Sequence, residues 1–363
     1  MKKILLFGMT PNYCGIESFI INYYRNFDHN KLKFDFLTYN EEPAYSDEIK
    51  KNNDNIIIIP GRKNNYYKNQ RYIKKIIRNN NYDIVWSNLC YLSDVSLLKF
   101  AYECGVPKRI IHSHNSENMA GIIQGAIHFL NKKRIENWAT DFWACSEEAG
   151  KYFYSSKIIN SEKFKIINNA INIKNFKFNI NIREKIRKDL SINDKFVVGH
   201  VGRFHFQKNH KFLIDIFFEI QKRNSKSVLL LVGEGELEKE IRKKVFEYNI
   251  SDKVFFLGVR HDVNELMQAM DCFILPSVFE GLAFVGIEAQ VAGLQLIISN
   301  TISKEINITD LVHILSLKKD AVEWAEFILS LKNFEHKNEL HKIVKAGFDI
   351  DTEAKKIEKI LLE

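Results

Sequence analysis

Two glutamates eight residues apart, and a loop with two well-spaced cations, are the parts of this chain best suited to chemistry. Glu280 and Glu288 belong to Phe279-Glu280-Gly281-Leu282-Ala283-Phe284-Val285-Gly286-Ile287-Glu288, directly after the apolar run Cys272–Leu275. If that run is a parallel strand, both carboxylates lie near its carboxyl end and along the first turns of one helix, on roughly one face. Open α/β sheets take their ligands at that edge. A helix start also offers free backbone N–H groups and a positive dipole end, which suit an anion. The plain alternative has Glu280 capping the helix and Glu288 on its solvated face. The second run is Val201-Gly202-Arg203-Phe204-His205-Phe206-Gln207-Lys208-Asn209, after the apolar stretch Phe196–Val201. Gly202 permits a tight turn there. Arg203, a planar fork, and Lys208, a point charge, together suit a diphosphate, although two surface cations would look the same.

Weaker signals surround these. Val232-Gly233-Glu234-Gly235 is a glycine turn after a strand, a pattern many βα units share. Pro11-Asn12-Tyr13-Cys14-Gly15-Ile16-Glu17 follows the first strand and could bring backbone N–H groups toward a phosphate. It is not a GxGxxG fingerprint and has no P-loop lysine, so dinucleotide and Walker sites fit poorly. His112 and His114, in Ile111-His112-Ser113-His114-Asn115, share one face of an extended strand. No third ligand follows at helical spacing, so a polar active-site role is preferred to core packing and to a metal pair. Asp349-Ile350-Asp351 is the only Asp-x-Asp, and an N-cap at Asp351 explains it better than a metal site.

The elements that must position these residues alternate between short apolar runs and amphipathic segments. The first half gives strands at Lys3–Phe7, Phe34–Tyr39, Ile56–Pro60, Asp83–Ser87, Arg109–His112 and Asp141–Cys145. Between them lie helical patterns such as Ile16–Phe27. The second half restarts the series, with strands at Phe196–Val201, Val228–Val232, Val254–Leu257, Cys272–Leu275 and Gln295–Ser299. Helical patterns at Asn209–Arg223, Leu237–Tyr248, Val263–Met270 and Leu282–Ala292 connect them. Strands fed by crossover helices imply parallel sheets covered on both faces. The basic, Asn-rich stretch Asn168–Asp194 separates the two series, giving two Rossmann-like domains facing each other across a cleft. The final helix, Thr352–Leu362, has no strand after it and could pack on either.

Composition excludes several classes. With 363 residues, 45% hydrophobic and 27% charged, the chain has ample core and is not disordered. Five cysteines without a CxxC pair argue against a disulfide framework or zinc ribbon and for a reducing compartment. Met1-Lys2-Lys3 and the apolar residues after it imitate a leader, but the run is short and no cleavage site follows. No apolar run approaches the roughly 18 residues of a membrane span, so a cytoplasmic protein is expected. Residues 1–190 carry 30 Lys and Arg against 19 Asp and Glu, whereas the remainder has 23 against 26. The first half should therefore meet something anionic. Nucleic acid is not favoured, for want of aromatic-interleaved motifs or a recognition helix. An anionic membrane surface suits Arg62, Lys63, Lys68, Arg71, Lys74, Lys75 and Arg78, interleaved with Tyr66, Tyr67 and Tyr72. A merely solvated helix face is the alternative.

Taken in order, the Cys14-Gly15-Ile16-Glu17 loop, His112–Asn115, Gly202-Arg203 with Lys208-Asn209, Val232–Gly235, Leu257-Gly258 and Glu280 with Glu288 and Ala289-Gln290-Val291-Ala292-Gly293 resemble glycosyltransferase family 4 of the GT-B fold. The resemblance covers nearly the whole chain and points to the bacterial capsular and exopolysaccharide branch. It implies an N-terminal acceptor-side domain, 1–172 plus 349–363, and a nucleotide-sugar domain, 173–348, with the last helix crossing back to the first. By the same resemblance Arg203 and Lys208 hold the diphosphate, Glu288 takes the ribose and Glu280 lies by the donor sugar. Gly258, Val259 and Arg260 flank the base. Gly15, Gly202, Gly233, Gly281, Leu282 and Ala283 complete the donor site. His114 joins Glu280, Arg203 and Lys208 in catalysis, with Glu17, His112 and Asn115 on the acceptor side. The implied reaction is retaining transfer from a nucleotide-diphosphate sugar, a UDP-sugar, to a glycan or lipid-linked acceptor, with no metal and no cofactor. Peripheral residence on the inner face of the membrane goes with it. Cys14 stands where a glycine is usual, and Ala283 where a proline is common. A non-catalytic partner subunit and a nucleotide-sugar epimerase of the same fold are the alternatives. Loss of Arg203, Lys208 or Glu288 would have favoured the former, and all three are present.

Overall fold

Apolar runs buried on both faces become strands here because neither side of them can meet water without cost. A computed structural model describes residues 1–12, 15–62, 65–115, 121–331 and 336–363. Its backbone divides into two units, Met1–Ala170 with Ile350–Glu363, and Ile171–Asp349.

In the first unit the strands are β1 (Lys2–Phe7), β2 (Leu32–Thr38), β3 (Asn55–Ile58), β4 (Ile84–Leu89), β5 (Lys108–Ser113), β6 (Asp141–Ala144) and β7 (Phe164–Ile166). They form one sheet in the order β3-β2-β1-β4-β5-β6-β7, parallel throughout. Every residue of β4 is buried, as its central place demands. One face, with Ile4, Leu6, Phe34, Phe36, Ile84, Trp86, Ile110 and Trp143, is covered by the helix Gly15–Asn26. The helix Ile350–Leu362 packs into the same cluster through Ile350, Ala354, Ile357 and Leu361, one stripe at helical spacing. That stripe is why the chain's end returns to the first unit. Asp351 lies inside this helix's first turn and does not precede it.

The second unit has β8 (Phe196–Val201), β9 (Ser227–Val232), β10 (Val254–Phe256), β11 (Cys272–Leu275), β12 (Gln295–Ser299) and β13 (Val312–Leu315), ordered β10-β9-β8-β11-β12-β13 and again parallel. β7 and β13 escape the sequence pattern because they are three- and four-residue edge strands with half-wet faces. Within the separating stretch, the helix Ile180–Asp189 is capped by Asn179 and belongs to the second unit. Its buried Arg187, with Arg183, pairs with Asp271 at the foot of β11.

Both sheets reverse their winding, between β1 and β4 in the first and between β8 and β11 in the second. Loops leaving neighbouring strands diverge at such a point and open a crevice at the carboxyl edge.

Candidate functional site

The second unit's switch point is built by backbone packed too tightly for side chains. Beyond β8 and β9, the Gly202 N–H donates to Val232 O at 2.9 Å, and the Phe204 N–H to Glu234 O at 3.0 Å. The Gly233 N–H reaches Gly258 O at 2.8 Å, so three successive loops are laced together. Gly233 has φ +129°, and a Cβ there would stand 2.3 Å from Gly202 O. A Cβ on Gly235 would stand 2.6 Å from Phe204 O. The glycine turn, weak as a motif, is thus a close-approach requirement that sets where Arg203 leaves the sheet.

Across the reversal, β11 pairs with β8 only through Cys272 and Phe273. Beyond that the Ile274 carbonyl accepts from His200 Nδ1 at 2.8 Å, and the loops separate. They are restitched further out: Val278 N–H donates to Gln207 O at 2.8 Å, Asn209 Nδ2 to Pro276 O at 3.0 Å, and Gln207 Nε2 to Phe279 O at 3.1 Å. Into this frame the Lys208 ammonium donates to Glu280, a pair mostly shielded from solvent. Ser277, fully buried, donates to the other Glu280 oxygen at 3.0 Å. Its own carbonyl accepts from Ser299 at 2.6 Å and Thr301 at 2.7 Å. Ser277, Ser299 and Thr301 leave no mark in the sequence, since isolated hydroxyls carry no periodic signal.

The structure changes several of the expectations for this site. Glu280 is not on the helix: it bridges to Ile302 in extended backbone, and the helix begins at Phe284. The two glutamates therefore do not share a helix face, and Gly281, exposed, lies before the helix and not at its start. Arg203 and Lys208 are not a joint, preorganised clamp. Arg203 is 73% exposed and meets Glu236 at 3.2 Å, while Lys208 is held by Glu280. Such an exposed pair is screened by solvent and holds weakly, so the guanidinium can exchange partners. Arg260 is likewise engaged, forked onto Asp262 at 2.6 and 2.8 Å beside the exposed Val259. Gly258 supplies the positive φ of +66° at that turn.

Ala283 is buried and, among the described residues, no side chain caps the helix Phe284–Val291 that follows it, with Leu282 half-buried just before. Glu288 sits in its second turn, where burial pushes the carboxyl up to about 8. At neutral pH it carries its proton.

The first unit has its own crevice at the β1/β4 reversal, a cavity of about 330 Å³. Its lining includes Phe7, Met9, Tyr39, Arg62, Tyr91 and Asp94. Arg62 pairs with Asp94 at 3.2 Å, and Tyr39 donates to the same carboxylate at 3.3 Å. Gly8, at φ +139°, allows the β1 end to lie against Asn88, whose Cβ would be 2.7 Å from a Cβ at that position. Asn88 Nδ2 donates to Phe7 O at 3.1 Å, leaving its Oδ1 for His114 Nε2 at 2.9 Å. His114 thus presents an unprotonated Nδ1, and burial holds its pKa down at about 3. It stays neutral through the physiological range.

His112 and Glu17 do not face an acceptor. His112 is fully buried among Phe19, Trp86 and Trp143 with no hydrogen-bond partner among the described residues, and burial keeps it neutral. It is a core residue, because alternation on β5 turns it inward. Glu17 is buried and accepts from the Thr10 N–H at 3.1 Å and from the Thr10 hydroxyl, which shapes the loop after β1. Gly15 opens the first helix in open space, and Asn115 follows the β5 end, half-buried. Cys14 and Lys63 lie outside the described residues. Among the described residues, no group of three or more His, Cys, Asp or Glu could hold a metal ion.

Two parallel, doubly wound sheets, each with charged side chains gathered at the edge where its winding reverses, have the architecture of the GT-B fold. The crystal structure of Anabaena Alr3699/HepE in complex with UDP matches with a TM-score of 0.82 at 17% identity, covering 99% of each chain. The family described as Glycosyl transferases group 1 matches residues 182–349. The putative glycosyltransferase EpsF of Bacillus subtilis is 33% identical over 335 residues, 90% of this chain and 87% of that one. The chain belongs to this glycosyltransferase family. An Escherichia coli relative, UDP-Gal:alpha-D-GlcNAc-diphosphoundecaprenol alpha-1,3-galactosyltransferase, is 32% identical over 146 residues, 39% of this chain and 38% of that one.

Two outcomes follow from this geometry. Gly235→Ala should cost about 1–3 kcal/mol, as overpacking does, because the Phe204 backbone and with it the Arg203 loop must move. Chemical denaturation reads the loss. For Glu288, the folded protein keeps a proton that the unfolded chain releases near 4.5. This group's contribution to stability therefore declines as pH rises from about 4.5 to about 8 and is flat above. Glu288→Gln should gain stability relative to the parent protein across that window, by on the order of 1–2 kcal/mol given its partial exposure. Melting temperatures at pH 5 and pH 9 provide the comparison.

Proposed function

We propose that the protein is a retaining, metal-independent hexosyltransferase that moves a sugar from a UDP-sugar to a lipid-linked or glycan acceptor in surface polysaccharide synthesis. The observation that supports this most is the Lys208–Glu280–Ser277 network beside the exposed Arg203, at the carboxyl edge where winding reverses. The Anabaena neighbour binds UDP, and the E. coli relative is named for a UDP-galactose donor and an undecaprenol-diphosphate-linked acceptor.

The chemistry suits these residues. Departure of a nucleoside diphosphate builds negative charge on phosphate oxygens, and fixed donors aimed there lower the barrier. An ammonium has three N–H donors, so Lys208 can keep Glu280 and still meet a phosphate. Arg203 leaves Glu236 to fork onto the diphosphate, and the uncapped start of the helix Phe284–Val291 adds backbone N–H groups. Glu280, fixed by Ser277 and Lys208, lies beside the sugar, and Glu288 accepts from the ribose hydroxyls. In the first unit the 330 Å³ crevice takes the acceptor, with neutral His114 bonded to Asn88 of its lining and its Nδ1 left to accept a hydrogen bond. A lipid-linked acceptor would bring the protein to the inner membrane face as a peripheral enzyme. Among the described residues no helix is long and apolar enough to cross a membrane.

A panel of nucleotide-sugars scored by thermal shift tests the donor. A true donor at 100 times its Kd stabilises by about 2.7 kcal/mol, and UDP-sugars should stand out. If Glu288 meets the ribose as a carboxylate, UDP binding at pH 7 should release a proton, read by calorimetry in two buffers of different ionisation enthalpy. With the donor found, Arg203→Ala should lower turnover about 10–10²-fold, as loss of a charged hydrogen bond worth roughly 1.5–3 kcal/mol does. Turnover should persist in EDTA. Activity that vanishes in EDTA and returns with magnesium or manganese would overturn the metal-independent mechanism.

A further inference from the structure

The helix Ile122–Arg134 has its polarity turned inside out. Its inward side chains are polar: His128 is 4% exposed and Asn131 6%. Both are satisfied by one backbone unit, since the Leu92 N–H donates to His128 Nδ1 at 3.1 Å and Asn131 Nδ2 donates to Leu92 O at 2.6 Å. His128 Nε2 completes the arrangement on Tyr152 O at 3.2 Å. The outward side chains are apolar. Ile122 is 92% exposed, Ile123 78%, Phe129 65% and Leu130 60%, with Ile127 partly exposed. At about 100° per residue these five fall within an arc of roughly 160°. Single exposed leucines need no explanation, but five large apolar side chains on one 13-residue helix form a patch that calls for a partner.

The charge around the patch identifies that partner. The helix has no acidic residue, and its last turn is Lys132-Lys133-Arg134. Lys132 is spent inside, donating to Lys151 O and Tyr152 O at 2.9 Å, but Lys133 and Arg134 are exposed at the end of the apolar arc. The helix Tyr66–Asn80 lies on the same side of the sheet. It buries Ile73 and Ile77 with Leu5 and Val85, and the apolar helix leads into Ile135, which packs with Ile111 and Phe142. The register puts Leu5, Val85, Ile111 and Phe142 on one face. From that second helix Tyr67, Lys68, Arg71, Tyr72, Lys75 and Arg78 are exposed, while Lys74 and Arg62 are occupied by Glu103 and Asp94.

We propose that the helix Ile122–Arg134 inserts in the plane of an anionic lipid bilayer, its apolar arc among the acyl chains and its basic end on the headgroups. At about 1.5 Å per residue it is roughly 20 Å long, too short to span a hydrocarbon core of about 30 Å. An apolar face with flanking cations is the pattern of an interfacial helix. Each cation near such a surface contributes roughly 1 kcal/mol, screened by salt. The inference rests on the proposed lipid-linked acceptor, and it moves the anchoring from the cations of the helix Tyr66–Asn80 alone to an inserted apolar face beside them.

The test is sedimentation of the full chain with vesicles of phosphatidylcholine, alone or mixed with phosphatidylglycerol, at low and high salt. The parent protein should bind the anionic vesicles. Ile123→Glu with Leu130→Glu should lower the partition coefficient by about tenfold or more at either salt. Lys133→Gln with Arg134→Gln should lower it severalfold at low salt only. All variants should keep the thermal shift with UDP, since none touches the second unit. No sedimentation of the parent protein, or equal sedimentation of the Ile123→Glu and Leu130→Glu variant, overturns the proposal. A dimer by light scattering that those substitutions dissociate, without vesicle binding, also overturns it and assigns the patch to a second copy. Absence of any UDP shift in the parent protein would refute the donor reading and leave the vesicle result to stand by itself.

Discussion

The ion pair between Lys208 and Glu280 is the contact on which the second unit's strand-end site depends. Its partners are 72 residues apart and leave the sheet from β8 and β11, which stop pairing after Phe273. A shielded ammonium facing a shielded carboxylate is tolerable only when both keep further partners. Ser277 supplies one to Glu280, and its carbonyl is in turn held by Ser299 and Thr301 from the end of β12. The network thus ties the ends of three strands together at the one place where the topology would let them drift apart.

The glycine loops serve the same end by different physics. Gly202, Gly233 and Gly258 let three successive turns share backbone hydrogen bonds, so Arg203 is presented from a stiff base while its own side chain stays free to exchange Glu236 for a ligand. Rigid backbone below and a loosely paired guanidinium above is an arrangement suited to a ligand that brings its own charge. The neutral Glu288 is the opposite case, a group whose proton is set by burial and answers to whatever displaces water around it.

The first unit divides its polar side chains between structure and surface in a less usual way. Three of them, His112, Glu17 and His128, are spent inside: one as a neutral ring in an aromatic core, one tied to Thr10, one bridging Leu92 and Tyr152. What remains for the surface is apolar along Ile122–Leu130 and basic along the helix Tyr66–Asn80. The half of the chain with excess positive charge is therefore also the half with an uncovered apolar face.

The two parallel sheets, the places where strands give way to helices, and the residue types gathered at the proposed donor site are all legible in the order of residues. Burial on both faces leaves continuous apolar runs, and amphipathic helices leave a 3.6-residue period, so both are written locally. β7 and β13 were illegible because edge strands of three or four residues leave too short a pattern. Tertiary structure alone decided which acid neutralises which cation, since Lys208 could have met Glu280 or Glu236 on spacing alone. It also decided that His112 faces the core while His114 reaches Asn88, and that the helix Ile122–Arg134 turns its polar side inward. Periodicity reports that a helix has two faces, but only the packing of Leu92 and Tyr152 against His128 and Asn131 says which of them is covered.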